Sequence, residues 1–383
     1  MQPVTCNCIQ LNEILYIGIT QSFFAGLMIA TKRNPVIADR ILATWLFLIA
    51  LEMIFALVNE TVLPLYEFVF IPFTYGPCLY LYVKFLTIEN IKFKWQYWLH
   101  LLPFIAVFIS AIVFHGRPVI KLDNFFANDP FLSFRLIYGL SFFISITTYS
   151  IATFVLIRRH EKNVKELFSY TSARITLSWL LVISIGFYVT YVLVFIVGVY
   201  VIFKKELPYD PTLVSYFGLT FFAFAFSSYG IKQPGIFNEL YAEKKTITRK
   251  IELKEPDIKY ERSGLKEADA EKYVNKLLKH MEVRKPYLNV DLTIQDVAES
   301  LSIPRHYLTQ IINEKLNKNF YQFINEYRVE EVKNLLKDKD YQKYTMTAIA
   351  FEAGFNSKSS FNIAFKKNTL VTPSEYRKSL NNQ

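Results

Sequence analysis

Seven times within the first 231 residues a stretch of about 20 mostly apolar residues returns, each set off from the next by a short polar break. The stretches run Leu11 to Ala30, Ile41 to Val58, Val62 to Leu86, Trp95 to Phe114, Phe131 to Ile157, Thr176 to Phe203 and Thr212 to Ile231. Each has the length and hydropathy of a helix that crosses a bilayer core. Residues 1 to 10 carry no positively charged region, so the first stretch reads as a retained span and not as a cleaved signal peptide.

Past residue 231 the solvent changes. Residues 1 to 230 hold 16 Lys+Arg and 12 Asp+Glu, and residues 231 to 383 hold 27 and 21. The density of charge therefore rises about two and a half times at the boundary, from a lipid-compatible sequence to a water-compatible one. A hydrophobic share of 52%, with 35 Phe and 25 Tyr, excludes disorder as a description of the whole. The expected architecture is all-α: a seven-helix transmembrane bundle (1–231), a charged linker (232–263) and a soluble seven-helix domain (264–383).

Lys and Arg placement predicts the orientation. Lys32, Arg33, Arg40, Lys84, Lys92, Lys94, Arg158, Arg159, Lys162, Lys165 and Arg174 fall at the breaks after spans one, three and five. Only Arg117, Lys121, Lys204 and Lys205 fall on the other side. Eleven against four predicts a multi-pass protein of a bacterial inner membrane, N-terminus outside and C-terminal domain cytoplasmic.

Ionisable residues within spans are costly in lipid and face a bundle interior or a wet cavity. Glu52, Glu67 and His100 are accordingly the candidates for sensing a ligand. The plainer reading of the same residues is an internal hydrogen-bond pair that fixes helix packing. Three cysteines, Cys6, Cys8 and Cys78, supply neither a disulfide framework nor a four-ligand metal site, so no metal or cofactor is expected.

The C-terminal 120 residues contain one pattern twice. In the first copy Thr293 is a good N-cap, Val297, Ala298 and Leu301 share an apolar face, and Ser302 and Ile303 make a tight break. Pro304 suits the first turn of a second helix. There Leu308, Ile311 and Ile312 point inward, leaving Arg305, His306, Thr309, Gln310 and Asn313 outward. The second copy repeats the small residue (Ala350) and turns at Gly354. It leaves Ser357, Lys358, Ser360 and Lys367 free beside the buried pair Phe361 and Phe365. Between the copies, apolar residues at helical spacing from Asn319 to Lys337 read as a long connecting helix.

Two helix-turn-helix patterns joined by an amphipathic helix resemble the C-terminal DNA-binding domain of the AraC/XylS family of transcription regulators. The resemblance covers about residues 265 to 380 and is most specific in Ala353-Gly354-Phe355-Asn356-Ser357-Lys358-Ser359-Ser360-Phe361-Asn362-Ile363-Ala364-Phe365-Lys366-Lys367, followed by Thr372-Pro373-Ser374-Glu375-Tyr376-Arg377. The complete layout looks like the membrane-embedded AraC-type regulators of Bacteroidota. It implies a one-component regulator whose two recognition helices enter successive major grooves, about 34 Å apart.

Arg305, His306, Thr309, Gln310, Asn313, Ser357, Lys358 and Ser360 are the candidate DNA contacts on that mapping, with Lys366 and Lys367 suited to phosphates. Double-stranded DNA and the lipid bilayer are the expected partners. RNA polymerase, a second copy of the chain and an unknown small-molecule or lipid signal are further candidates. The family often has Arg where Ile363 stands and Gly where Leu370 stands, which puts base readout by the second unit and the usual final turn in question. The chain has neither a Gly-rich phosphate loop nor a His-Glu-x-x-His motif, so no enzyme is expected. The rival reading is a membrane transporter or receptor whose helical tail mediates protein contacts without reading DNA sequence.

Overall fold

A computed structural model of the chain describes residues 4–61, 71–88, 91–114, 132–171, 173–204, 211–233, 265 and 267–381. Among them the architecture is all-α, and the one β feature is an isolated antiparallel bridge between Phe168 and Thr293. Glu67 and nearly all of the charged linker lie outside the described residues. The chain divides into two compact units, residues 1–158 with 177–249 and residues 159–176 with 250–383. The second unit thus takes in a segment that the sequence reading leaves with the membrane domain.

The first unit contains α1 (Val4–Ala30), α2 (Ile37–Thr61), α3 (Tyr75–Thr87), α4 (Leu102–Phe114) and most of α5 (Leu132–Leu167). It ends with α7 (Ser178–Lys204) and α8 (Pro211–Lys232). Five of these, α1, α2, α5, α7 and α8, are long and apolar enough to cross a membrane. The third and fourth expected spans differ from the rest. Within the described residues α3 is 13 residues long and follows a 3-10 turn over Ile71–Thr74; α4 is also 13 residues and follows a 3-10 turn over Trp95–Leu101. Proline supplies the reason: Pro72, Pro77 and Pro103 lack the N–H that an uninterrupted helix needs, so helix is tolerated only where each stands in a first turn.

Helix α1 packs against α2 and α8, and α7 against α8. Their shared core is aromatic, with Trp45 of α2 edge-on to Phe187 of α7 and 4.9 Å from Phe226 of α8, centroid to centroid. The opposite faces are apolar as well: Phe24, Ile137, Val182, Phe217 and Phe224 are all exposed. These helices are thus apolar on their outward faces as well as on those they pack together.

The second unit holds the end of α5, α6 (Ala173–Thr176), α9 (Glu267–Arg284), α10 (Ile294–Leu301) and α11 (Arg305–Glu314). It continues with α12 (Phe320–Lys337), α13 (Met346–Glu352), α14 (Lys358–Thr369) and α15 (Pro373–Asn381). Two cores form along α12. Phe320, Phe323 and Ile324 near its start pack with Leu277, Val297, Leu301, Leu308 and Ile311. Val329, Val332 and Leu336 further along pack with Ile349, Phe355, Phe361 and Phe365. One connecting helix therefore carries both helix-turn-helix units.

Candidate nucleic-acid interface

Each unit is fixed by its caps. The Thr293 hydroxyl accepts the Asp296 N–H, and the Asp296 carboxylate in return accepts the Thr293 N–H at 2.9 Å, a reciprocal box that starts α10. Ser302 ends α10 in the left-handed region, at φ 51°, and Pro304 stands just outside α11, its carbonyl accepting the Tyr307 and Leu308 N–H groups. In the second unit Thr345 caps α13 by accepting the Ala348 N–H. Gly354 then turns the chain at φ 92°. A Cβ there would lie 2.3 Å from the Tyr287 carbonyl oxygen, so the turn needs glycine for conformation and for space.

The second helices of the two units differ in what they offer. On α11 the burial of Leu308, Ile311 and Ile312 leaves His306 and Asn313 exposed and Arg305, Thr309 and Gln310 half-buried. The Thr309 hydroxyl donates to the Arg305 carbonyl, and Gln310 Nε2 donates to Glu314 at 2.9 Å with one of its two hydrogens. The face is polar, with one cation and four groups able to donate and accept, the chemistry that reads base edges.

On α14 the outward positions are Lys358, Ser359, Asn362, Ile363, Lys366 and Lys367. Ser357 is the N-cap, its hydroxyl accepting the Ser360 N–H. Ser360, expected on the free face, is instead buried: its hydroxyl bonds Ser357 and Asn356. A serine at the third position of a capped helix turns back to the cap, and the apolar spacing alone does not reveal this. Asn362 is the residue the sequence reading passed over. It stands between Lys358 and Lys366 at spacings of four, a signal legible in the sequence, and its amide is of the kind that pairs with adenine.

Four ion pairs tie charges of the domain to one another: Lys285 pairs with Glu331 at 2.9 Å, Lys333 with Glu330, Lys315 with Glu267 and Lys318 with Glu326. Lys358 and Lys367 make no such pair among the described residues, and both lie on α14. Leu370, where the sequence leaves the turn in question, adopts the left-handed conformation at φ 65° and ψ −5°, its N–H donating to the Lys366 carbonyl at 2.9 Å. The turn geometry survives without the glycine.

Of the candidate sensing residues, Glu52 and His100 lie within the described part of the chain. Glu52 is buried, and its Oε2 has no hydrogen-bond partner among the described residues. His100 instead holds the Tyr149 hydroxyl at 3.1 Å, edge-on to Tyr80. Among the described residues no group of three His, Cys, Asp or Glu side chains is placed to hold a metal ion.

Residues 297–379 match the family model described as a helix-turn-helix domain, and that domain is of the AraC type. The melibiose operon regulatory protein of Escherichia coli K12 is 36% identical over 87 residues, 23% of this chain and 28% of its own. An uncharacterised HTH-type transcriptional regulator of Pseudoalteromonas carrageenovora is 35% identical over 92 residues, 24% and 52%. Another, from Staphylococcus aureus (strain COL), is 32% identical over 104 residues, 27% and 13%. The chain therefore spans about half or less of the length of these relatives, and their likeness to it is confined to a quarter of its residues.

Proposed function

We propose that this protein is a membrane-embedded one-component transcription regulator: the C-terminal domain binds a specific DNA sequence through α11 and α14, and the helical bundle receives the signal. The observation that carries the reading is the pair of helix-turn-helix units on one connecting helix, each with an outward polar face on its second helix. Arg305, His306, Gln310, Asn313 and Asn362 are assigned to base edges, and Lys358, Lys366 and Lys367 to phosphates or guanine. Thr309 and Ser357 are within reach of either; Ser360 is assigned to the cap.

Two contacts support the topology. Lys32, in the first break, pairs with Asp39 at 2.6 Å and donates to the Gly230 carbonyl at the end of α8, so that break and the start of the tail share a side. Residues 168–171, in the break between α5 and α7, belong to the same compact unit as the C-terminal domain and share its side too. Both breaks are on the Lys- and Arg-rich side that the charge bias assigns to the cytoplasm. Helix α5, at 36 residues, is about 54 Å long and outruns a bilayer core of about 30 Å.

For the signal, Glu52 is the favoured receptor residue, because a buried carboxylate oxygen without a partner among the described residues is costly unless something else answers it. Glu67 and His100 are secondary candidates. RNA polymerase and a second copy of the chain are the macromolecular partners this reading admits besides DNA. The test is selection of random duplexes by the full-length protein in lipid nanodiscs. Enrichment of one motif with two elements about ten base pairs apart is the expected result. Binding that is salt-sensitive but indifferent to sequence favours the transporter or receptor reading, which the exposed Ile363 on α14 keeps in view. With the motif in hand, Glu52→Gln should change output from a reporter gene; unchanged output makes the residue a packing element only.

A further inference from the structure

The second unit contains a segment foreign to the helix-turn-helix pattern. Residues 167–171 join α5 to α6; Leu167 packs against the first core of the domain, and Phe168, Ser169 and Tyr170 are buried. The Ser169 N–H donates to the Leu292 carbonyl at 3.1 Å, beside the bridge of Phe168 with Thr293, the residue that caps α10. Tyr321 of α12 is hydrogen-bonded to Thr171. His160 Nε2 and the Ile175 carbonyl, 2.7 Å apart, close the base of the loop.

Its principal partner is Arg328. This residue is 1% exposed, lies between the two cores on α12, and has main-chain and hydroxyl oxygens in place of a carboxylate partner. Nε donates to the Tyr287 carbonyl at 2.8 Å and Nη2 to the Asn289 carbonyl at 2.8 Å. The loop supplies the rest: the Ser169 carbonyl accepts from Nη1 at 2.9 Å, and the Ser169 hydroxyl accepts from Nη2 at 3.0 Å. Asn325 adds a bond to that same carbonyl at 3.2 Å. Burial pulls the Arg328 guanidinium down to about 10, still charged at neutral pH.

The hub reaches the second unit directly. The guanidinium carbon lies 5.9 Å from the Phe355 ring centroid, and the Tyr287 carbonyl that Arg328 holds is the one against which Gly354 turns. Withdrawing the loop removes two of the guanidinium's acceptors, the Ser169 carbonyl and hydroxyl, and leaves it to water and to the Tyr287, Asn289 and Asn325 oxygens, so the released domain cannot keep the same arrangement unchanged. That differential contact is what a two-state element requires.

We propose that residues 167–171 are a regulatory strap. The loop between α5 and α7 docks on the Arg328 hub between the two helix-turn-helix units, and its docking or release sets how both units meet DNA. This rests on the DNA-binding reading above. Because the strap continues covalently into α5 on one side and through α6 into α7 on the other, a shift of either helix reaches the hub without passing through the linker.

The test uses the full chain in nanodiscs, with Cys6→Ser and Cys8→Ser as background. Residues facing each other across an antiparallel bridge have Cα atoms about 4.5 to 5.5 Å apart, within disulfide range. Phe168→Cys with Thr293→Cys should therefore cross-link and lock the strap in place. Ser169→Lys, which sets a second cation against Arg328, should release it while leaving every residue of residues 264–383 unchanged.

On duplexes enriched by the parent chain, the locked and released proteins are expected to differ at least tenfold in affinity, with reductant abolishing the effect of the lock and single-cysteine controls indifferent to redox state. Equal affinities, or failure of the pair to cross-link, overturn the strap. If Ser169→Lys loses the protease-resistant domain, Leu167→Ser, which removes the apolar contact with the first core without adding charge, gives the same comparison. A parent chain that enriches no motif sinks the DNA-binding reading and the strap with it, whereas enrichment that ignores the strap sinks the strap alone.

Discussion

Leu370 is held where a glycine belongs, and replacing it should stabilise the C-terminal domain. Its backbone sits in the left-handed region at φ 65°, and its side chain is 84% exposed, so little packing offsets the steric penalty. That penalty is about 1 to 2 kcal/mol for a residue with a Cβ. Glycine gives back about 0.4 to 1 kcal/mol through the extra freedom of the unfolded chain. Leu370→Gly should therefore gain about 0.5 to 1 kcal/mol, while Leu370→Ala, which keeps the Cβ, should change little. All four tryptophans, Trp45, Trp95, Trp98 and Trp179, precede residue 231, so their fluorescence is a poor reporter on this domain. Pulse proteolysis across a urea series, following the protected C-terminal fragment of the full-length protein, is the suitable assay. At a slope of about 2 kcal/mol per molar the midpoint should rise by about 0.25 to 0.5 M. A midpoint that stays put or falls for Leu370→Gly, or that rises equally for Leu370→Ala, refutes the reasoning.

Further outcomes follow from the same geometry. Gly354→Ala sets a Cβ against the Tyr287 carbonyl in a left-handed turn and should cost about 2 to 5 kcal/mol, visible as lost protease resistance from α13 onward. Arg305→Ala should weaken the selected motif by about 1 to 3 kcal/mol and relax one base position, whereas Lys367→Ala should weaken all duplexes alike and lower the salt slope by about 0.9. Parallel losses for the two would undo that division of roles. The Thr372 N–H and hydroxyl both donate to the Glu375 carboxylate, which holds it below the usual carboxylate range. Its contribution to α15 is present above pH 4.5 and is lost as pH falls through the lower folded value, so amide protection factors in α15, which remove the intrinsic pH dependence of exchange, should fall there; a loss of protection that sets in above pH 6 would contradict this.

The amount legible in the sequence depended on how local the cause was. Caps and turns are written within four residues, so Thr293, Ser302 and Gly354 could be placed from spacing and residue type alone. The inward faces of α10, α11 and α14 followed from apolar periodicity, as did the five long apolar helices. In the third and fourth stretches proline marks where helical segments begin: among the described residues Pro72, Pro77 and Pro103 each stand in the first turn of one. Ser360 was misjudged because its partner is the cap three residues back and not the solvent its polarity suggests. Arg328 was invisible for the opposite reason. A charged residue on an amphipathic helix reads as exposed, and the serine that buries it stands 159 residues earlier in the chain, in a loop with no motif of its own.

The central claim is that a DNA-reading domain is held on the cytoplasmic face of a membrane by the chain's own apolar helices. Sealed membrane vesicles of both orientations, bearing the full-length protein, test it in one hydroxyl-radical footprint on the selected motif. Inside-out vesicles should protect two patches about one helical turn apart, on one face of the duplex, and right-side-out vesicles none. Protection by right-side-out vesicles, or a diffuse pattern that ignores the motif in both, would contradict the account.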